Sequence, residues 1–485
     1  MKQLKIMPLV AVISGLMVGC GGGGGGGGST PKTVFNFTFV VPQIQNLNDN
    51  GLCTIFERYN DANDVQKVLN YHTIGGVLDA ELTAYYSDAS GNLVGDIMSA
   101  SKDKLSIILQ SIPDGGSVTL QERNNDIVNA VTFSKELLEQ NASLRNTYLS
   151  VESKVSGTTC LTGNNDTPVD KRNLDFLVAE NAQGNPYSTF YFESQLETLE
   201  KNTSRFNNSD VLAAFSSEKV MIAQYRTDER SALYQYGFEG WPENRMVFTD
   251  VTSQPEINSN GIKFSAIDMS VIYRGFKYPL ASIQAEKAFY HPDNRNGEVW
   301  TYSVEGAINT PGWKAIYSDK VSDDWNVSID EAQLFAVNNI TNNEPDVSNR
   351  VINLNKSIAL GNESGLQRIN YKQGAEVDSL AYKVNHTLYS LIDGKITVPK
   401  LNLSFFSTDV ANKLVISNQA AISQGYLFTE TQNAVQAADF ARNFSKSENS
   451  PIGKDAVGVV MNLRQARDAD NRLAQTQALF LERAK

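Results

Sequence analysis

The chain reads as a mainly β protein, with β-sandwich-like domains in series, and three observations carry that reading. Short runs rich in Val, Ile, Tyr, Phe and Thr recur along its 485 residues, separated by clusters of Asn, Asp, Gly and Ser. Several of these runs alternate with period two; in TVFNFTFVV, residues 33–41, Phe35, Phe37 and Phe39 fall on one face and Val34, Asn36 and Thr38 on the other. The composition is 41% hydrophobic, enough for a chain of this length to bury two or three cores.

The elements follow in order. A first domain is expected over 33–161, with strands at 33–41, at AELTAYY before the turn Ser87–Asn92, and at LSIILQSI before Pro113–Gly116. Ser134–Gln140, SKELLEQ, has helical character and a serine in N-cap position, so one short helix belongs here. The polar run Thr162–Asn173 closes this domain, and the aperiodic run Asn338–Asn349, with Pro345, is a second linker. These divide the rest into a middle aromatic-rich β domain over 173–337 and a C-terminal β domain over 350–485. One large β architecture over 173–485 is the alternative. At the C-terminus, AVGVVMNLRQA and RLAQTQALFLER flank the turn-like Arg467–Asn471, and the valines favour a closing hairpin over an amphipathic helix. No period typical of propellers or solenoids is present.

Before the β body lie thirty residues of another kind. Lys2 and Lys5 form a positive start, Ile6–Val18 an apolar stretch too short to span a bilayer, and Gly19 a small residue before Cys20. Leu16–Cys20 resembles the lipobox of bacterial lipoproteins, departing from the usual pattern only in Met17, which stands where leucine is common. That resemblance implies a signal peptide over 1–19 that is removed, and a Cys20 that carries acyl chains. Because two or more chains suffice for stable anchoring, it also implies residence on a membrane. Gly21, not aspartate, follows the cysteine, which by the same resemblance implies the Gram-negative outer membrane. Eight glycines, Gly21–Gly28, then form a tether over 20–32 that cannot hold a packed structure. The eleven residues from Gly21 to Pro31 have an r.m.s. reach of about 18 Å and an extended length of about 37 Å. Met17–Gly28 before a large acidic β body looks like the surface lipoproteins of marine gammaproteobacteria, and more distantly like lipoproteins of the membrane sheath around polar flagella.

In an oxidising envelope the remaining pair, Cys53 and Cys160, is expected to form a disulfide; two buried free thiols are the alternative. The formal charge is −12, and loss of the two leader lysines takes the processed chain to −14. That charge, with no basic run, disfavours nucleic acid as a partner. His72, His291 and His386 stand singly, with no metal-ligand spacing.

Candidate chemistry is sparse. Asn46–Glu57 places Asn46, Asn48 and Asn50 at positions 1, 3 and 5, Gly51 at 6 and Glu57 at 12 of a calcium-loop spacing. It lacks the leading aspartate and helical flanks and contains Cys53, so a strand-connecting turn is the better account. Asp323–Glu331 is a second oxygen-rich run and reads as an edge strand. Trp241, Trp300, Trp313 and Trp325 all lie in the middle segment, where filling a core is the favoured role. Trp241, before Pro242 in a loop-like context, is the one expected to be exposed as a partner contact. No GxSxG elbow or P-loop occurs, and no GxGxxG outside the glycine run. The expectation is a non-enzymatic, cofactor-free structural or adhesive protein, displayed at the cell surface and held to the outer membrane by its lipid. A glycan- or protein-binding lipoprotein, self-association, and an envelope glycoside hydrolase are the alternatives.

Overall fold

The computed structural model describes residues 31–483 apart from 61–65, 75–80, 101–102, 152–158, 164–167, 174–188, 203–210, 226–229, 231–232, 240–255, 258–261, 285–288, 293, 296, 309–311, 330–343, 355–363 and 430–457. The described residues are mainly β. Their largest element is a twelve-stranded sheet. Across it, the strands run Phe276–Gln284, Ile262–Tyr273, Val299–Ile308, Lys314–Lys320, Ala478–Arg483, Ala421–Thr429, Ser364–Val377, Leu380–Leu391, Ile127–Ser134, Ser117–Asn124, Glu81–Ser87 and Leu93–Ser99. Neighbours are antiparallel except at one step, where Leu380–Leu391 lies parallel to Ile127–Ser134 with His386 opposite Ala130.

That step changes the domain picture. The sheet takes strands from all three segments expected from sequence, so hydrogen bonding crosses both the boundary at 161 and the one at 338–349. The expected linkers themselves contain strands: Pro168–Asn173 pairs with Val211–Phe215, and Asp346–Ser348 pairs with Val351–Asn353. Polar composition marked them as linkers, but an edge strand tolerates polar side chains and its pairing leaves no local signal.

Second layers cover the sheet, as a sandwich requires. A six-stranded sheet, with Val34–Asn46 paired to Gln66–Thr73, Lys104–Ile108 and Asn146–Ser150, lies over one part. The alternation of residues 33–41 operates as expected: Phe35, Phe37 and Phe39 are buried with Val118, Leu120, Val131 and Phe133, while Val34 and Asn36 are exposed. Phe37 stacks on Phe133 at 5.6 Å and Phe133 on Tyr389 at 5.5 Å. Each such side chain contributes about 1.5–3 kcal/mol by leaving water. Over the strands of the middle segment lies a four-stranded sheet built on Thr189–Glu193 and Met221–Tyr225, closing a core that includes Trp300, Trp313 and Tyr278.

The third core uses the other face of the strands around Ile127–Ser134. Val131 and Phe133 point to the phenylalanine core, whereas Val128 and Ala130 meet Ile369, Tyr371, Val384 and Leu388 beneath the helix Thr408–Lys413. The helix Lys135–Gln140 is capped as its sequence predicts, with the Ser134 hydroxyl accepting from the Leu137 amide.

The C-terminal hairpin is not formed. Gly458–Val460 and Ala478–Arg483 are strands, but they join different sheets, and Leu463–Ala474 between them is a helix that contains the turn-like residues 467–471. Its start is a reciprocal capping box between Asn462 and Gln465, which stabilises a helix N-terminus more than two flanking valines favour a strand.

Candidate functional site

Cys20 and Trp241 lie outside the described residues. Cys53 and Cys160 are bonded, with their Cα atoms 5.5 Å apart. The bridge fastens the chain before Glu57–Asn60 to a segment running beside Gln66–Thr73, where Cys160 faces His72, Leu161 N donates to Tyr71 O, and Thr54 N donates to Leu161 O. The disulfide therefore closes the outer edge of the six-stranded sheet.

The Asn46–Glu57 run connects two strands through the short 3-10 helix Leu47–Asp49, and two of its candidate ligand side chains are already engaged. Asn46 Oδ1 accepts from Lys67 Nζ at 2.6 Å, and buried Asn50 accepts from Gln45 and Asn70 while donating to Cys53 O. In Asp323–Glu331, Asp324 accepts from Ser322 Oγ and the Asn326 amide within a tight turn, and Asp323 pairs with Arg295. Among the described residues no group of three His, Cys, Asp or Glu side chains is placed to hold a metal ion. Trp300, Trp313 and Trp325 are buried in the middle core, as favoured. Trp325 holds a left-handed backbone, φ 61°, with its ring parallel to His291 at 4.2 Å and the Arg295 guanidinium 4.4 Å from its centre.

The most site-like feature is one the sequence did not mark. An open groove of about 500 Å³ lies between the sheet's edge strand Leu93–Ser99 and residues 398–416. Its walls are largely apolar: Leu93 and Ile97 on one side, Leu401, Leu403 and Phe406 along the connection, and Leu414, Val415 and Ile416 after the helix Thr408–Lys413. Leu93 is 42% exposed, Ile97 38% and Val415 44%, so ordinarily buried side chains face the opening.

Polar bonds hold both walls in place. Arg350, in a left-handed turn with φ 63°, donates to Gly91 O and Asn92 Oδ1, and its own carbonyl accepts from Val398 N. Lys400 N donates to Gly91 O. Further in, Gln121 Nε2 donates to Asn402 O and Gln121 Oε1 accepts from Asn402 N, so a buried side-chain amide substitutes for a strand partner. Tyr85 OH completes the set by donating to the same Oε1.

Behind the floor runs a buried chain of hydroxyls. Tyr371, which lines the groove, is hydrogen-bonded to His386 Nδ1, His386 Nε2 to Thr132 Oγ1, and Thr132 Oγ1 to Thr119 Oγ1. Burial lowers the His386 pKa to about 3 and raises that of Tyr371. Both are therefore neutral at ordinary pH, and the chain braces four neighbouring strands without carrying charge.

The groove's described lining offers apolar surface and two cations, Arg350 and Lys400, and no carboxylate. Such a surface can hold an apolar ligand. Sequence reasoning missed it because its residues are spread over 93–97, 350, 371 and 398–416 and meet only through sheet pairing. The one local signal was the apolar pair Leu93–Val94 directly after a turn, where solvent-facing residues are usually polar. No protein-family model, curated protein or solved structure matches this chain.

Proposed function

We propose that the protein is a lipid-anchored lipoprotein of the outer membrane, displayed at the cell surface, whose β body has a non-catalytic structural or adhesive role, as in a coat or a flagellar sheath, and meets its partner at the groove. The observation that carries the reading is the continuity from Cys20 through the glycine tether into Val34–Asn46, a strand paired on both sides. A tether that enters a central strand transmits load directly to the sheet network. The groove, open and apolar, supports the binding variant of this reading over self-association through a flat face. It gives no support to a glycoside hydrolase, whose paired carboxylates are not among its described lining residues.

Protease treatment of intact cells tests display, with a periplasmic protein as control. Degradation of the body while the control survives is expected, and Cys20→Ser should move the protein out of the detergent-partitioning membrane fraction. Protection in intact cells, or unchanged partitioning of Cys20→Ser, overturns the reading.

A further inference from the structure

We infer that the groove binds a long-chain aliphatic carboxylate, its tail along the apolar walls and its head at Lys400, an assignment that rests on the groove being the contact site proposed above. Size comes first: an open groove of about 500 Å³ has room for an extended long aliphatic chain.

Chemistry comes second. The walls from Leu93 and Ile97 to Leu414 and Val415 present methyl and methylene groups, and the polar atoms that hold them are turned to one another. Tyr371 OH is bonded to His386, and Gln121 to the Asn402 backbone. Ser404, Thr408 and Asn412 add a few polar groups to the lining, but most of it is apolar, so a sugar would find few replacements for its lost water while an aliphatic tail gains by burial.

Charge comes third. Arg350 and Lys400 are the only charged lining residues described, in a chain of net charge −12. The Arg350 guanidinium is committed to carbonyl and amide oxygens of residues 90–92. The exposed Lys400 ammonium makes no ion pair among the described residues. One exposed cation among the residues lining a mainly apolar slot complements a single negative head group.

An extended peptide added to the sheet edge is the competing occupant, and the edge is unsuited to it. Pairing with Glu81–Ser87 is irregular between Ala84 and Tyr86, where Tyr85 stands against Gly95–Ile97, and Gly95 takes φ 74°. The resulting bulge breaks the row of backbone groups a new strand would need.

The test uses the full chain in phosphatidylcholine nanodiscs and a palmitate analogue carrying a photoactivatable diazirine, with labelled peptides identified by mass spectrometry. Saturable labelling of peptides containing 93–99 or 398–416 is expected, displaced at least tenfold better by palmitate than by hexadecanol. Val415→Asp should cut labelling at least tenfold with the thermal melt unchanged; should it fail to fold, Leu93→Asp on the facing wall takes its place. Lys400→Glu should abolish the preference for acid over alcohol. Labelling elsewhere, or labelling that does not saturate, overturns the inference. Equal displacement by the alcohol overturns the carboxylate while leaving the groove as contact site, and surface display is decided separately by protease treatment.

Discussion

His386 is fully buried between Thr132 and Tyr371, with both ring nitrogens hydrogen-bonded. Burial depresses its pKa to about 3 from the ordinary 6.5, so between those values the unfolded chain binds a proton at this position and the folded chain does not. The sign follows: stability is lost as pH falls from about 6.5 toward 3 and is flat in this respect above and below. One such group contributes a slope of about 1.4 kcal/mol per pH unit. In His386→Gln the slope of unfolding free energy between about pH 4 and pH 6 should therefore be smaller than in the wild type by about that amount. Denaturant titrations of both proteins across that range read the difference directly, and parallel slopes would show that the imidazole is protonated in the folded state. Nothing in the sequence marked His386 for this role. A lone histidine in an alternating strand looks the same whether it faces solvent or a second core.

At the level of elements, local patterns were legible wherever one short segment settled the outcome. Phe35, Phe37 and Phe39 announced a half-buried strand, and Ser134 announced a helix start. Asn462 and Gln465 carried an equally local signal, and the helix Leu463–Ala474 could have been read from it; the neighbouring valines pointed to strand and are indeed strand, just not partners. The disulfide was legible for a different reason, namely that only two cysteines remain beyond the one at the lipobox. It closes a loop with a sequence separation of 107, and constraining so long a loop in the unfolded chain stabilises the fold by up to about 4.7 kcal/mol. Replacing both cysteines with serine should lower the denaturation midpoint by an amount that converts to a few kcal/mol, with the loss centred on the six-stranded sheet. Hydrogen exchange gives the location: faster exchange of the Thr54, Thr73 and Leu161 amides is expected first, since their hydrogen bonds flank the bridge. A midpoint unchanged within error would mean that the unfolded chain is already restrained there.

For the whole molecule, the fold class was legible and the division into domains was not. Strand-forming runs can be counted along a chain, but which run pairs with which depends on burial brought together over hundreds of residues. Here Ile127–Ser134 finds its partner in Leu380–Leu391, and the phenylalanine core of the N-terminal segment is completed by Leu366, Tyr389, Leu427, Leu473 and Phe480. Removing those C-terminal residues would expose one flank of Phe133 and leave Ile127–Ser134 with an open edge in the middle of what had been a sheet, a state prone to pairing with other chains. A fragment ending at residue 161 should consequently not fold alone. Expressed without 162–485, it is expected to be aggregated or to lack a cooperative melt. Full-length protein nicked by protease between 161 and 168 should instead keep both pieces together on gel filtration under native conditions. A soluble 31–161 fragment with a sharp thermal transition would show that the N-terminal segment holds its own core. The parallel step to Leu380–Leu391 would then be a contact between finished domains, and not part of what makes them fold.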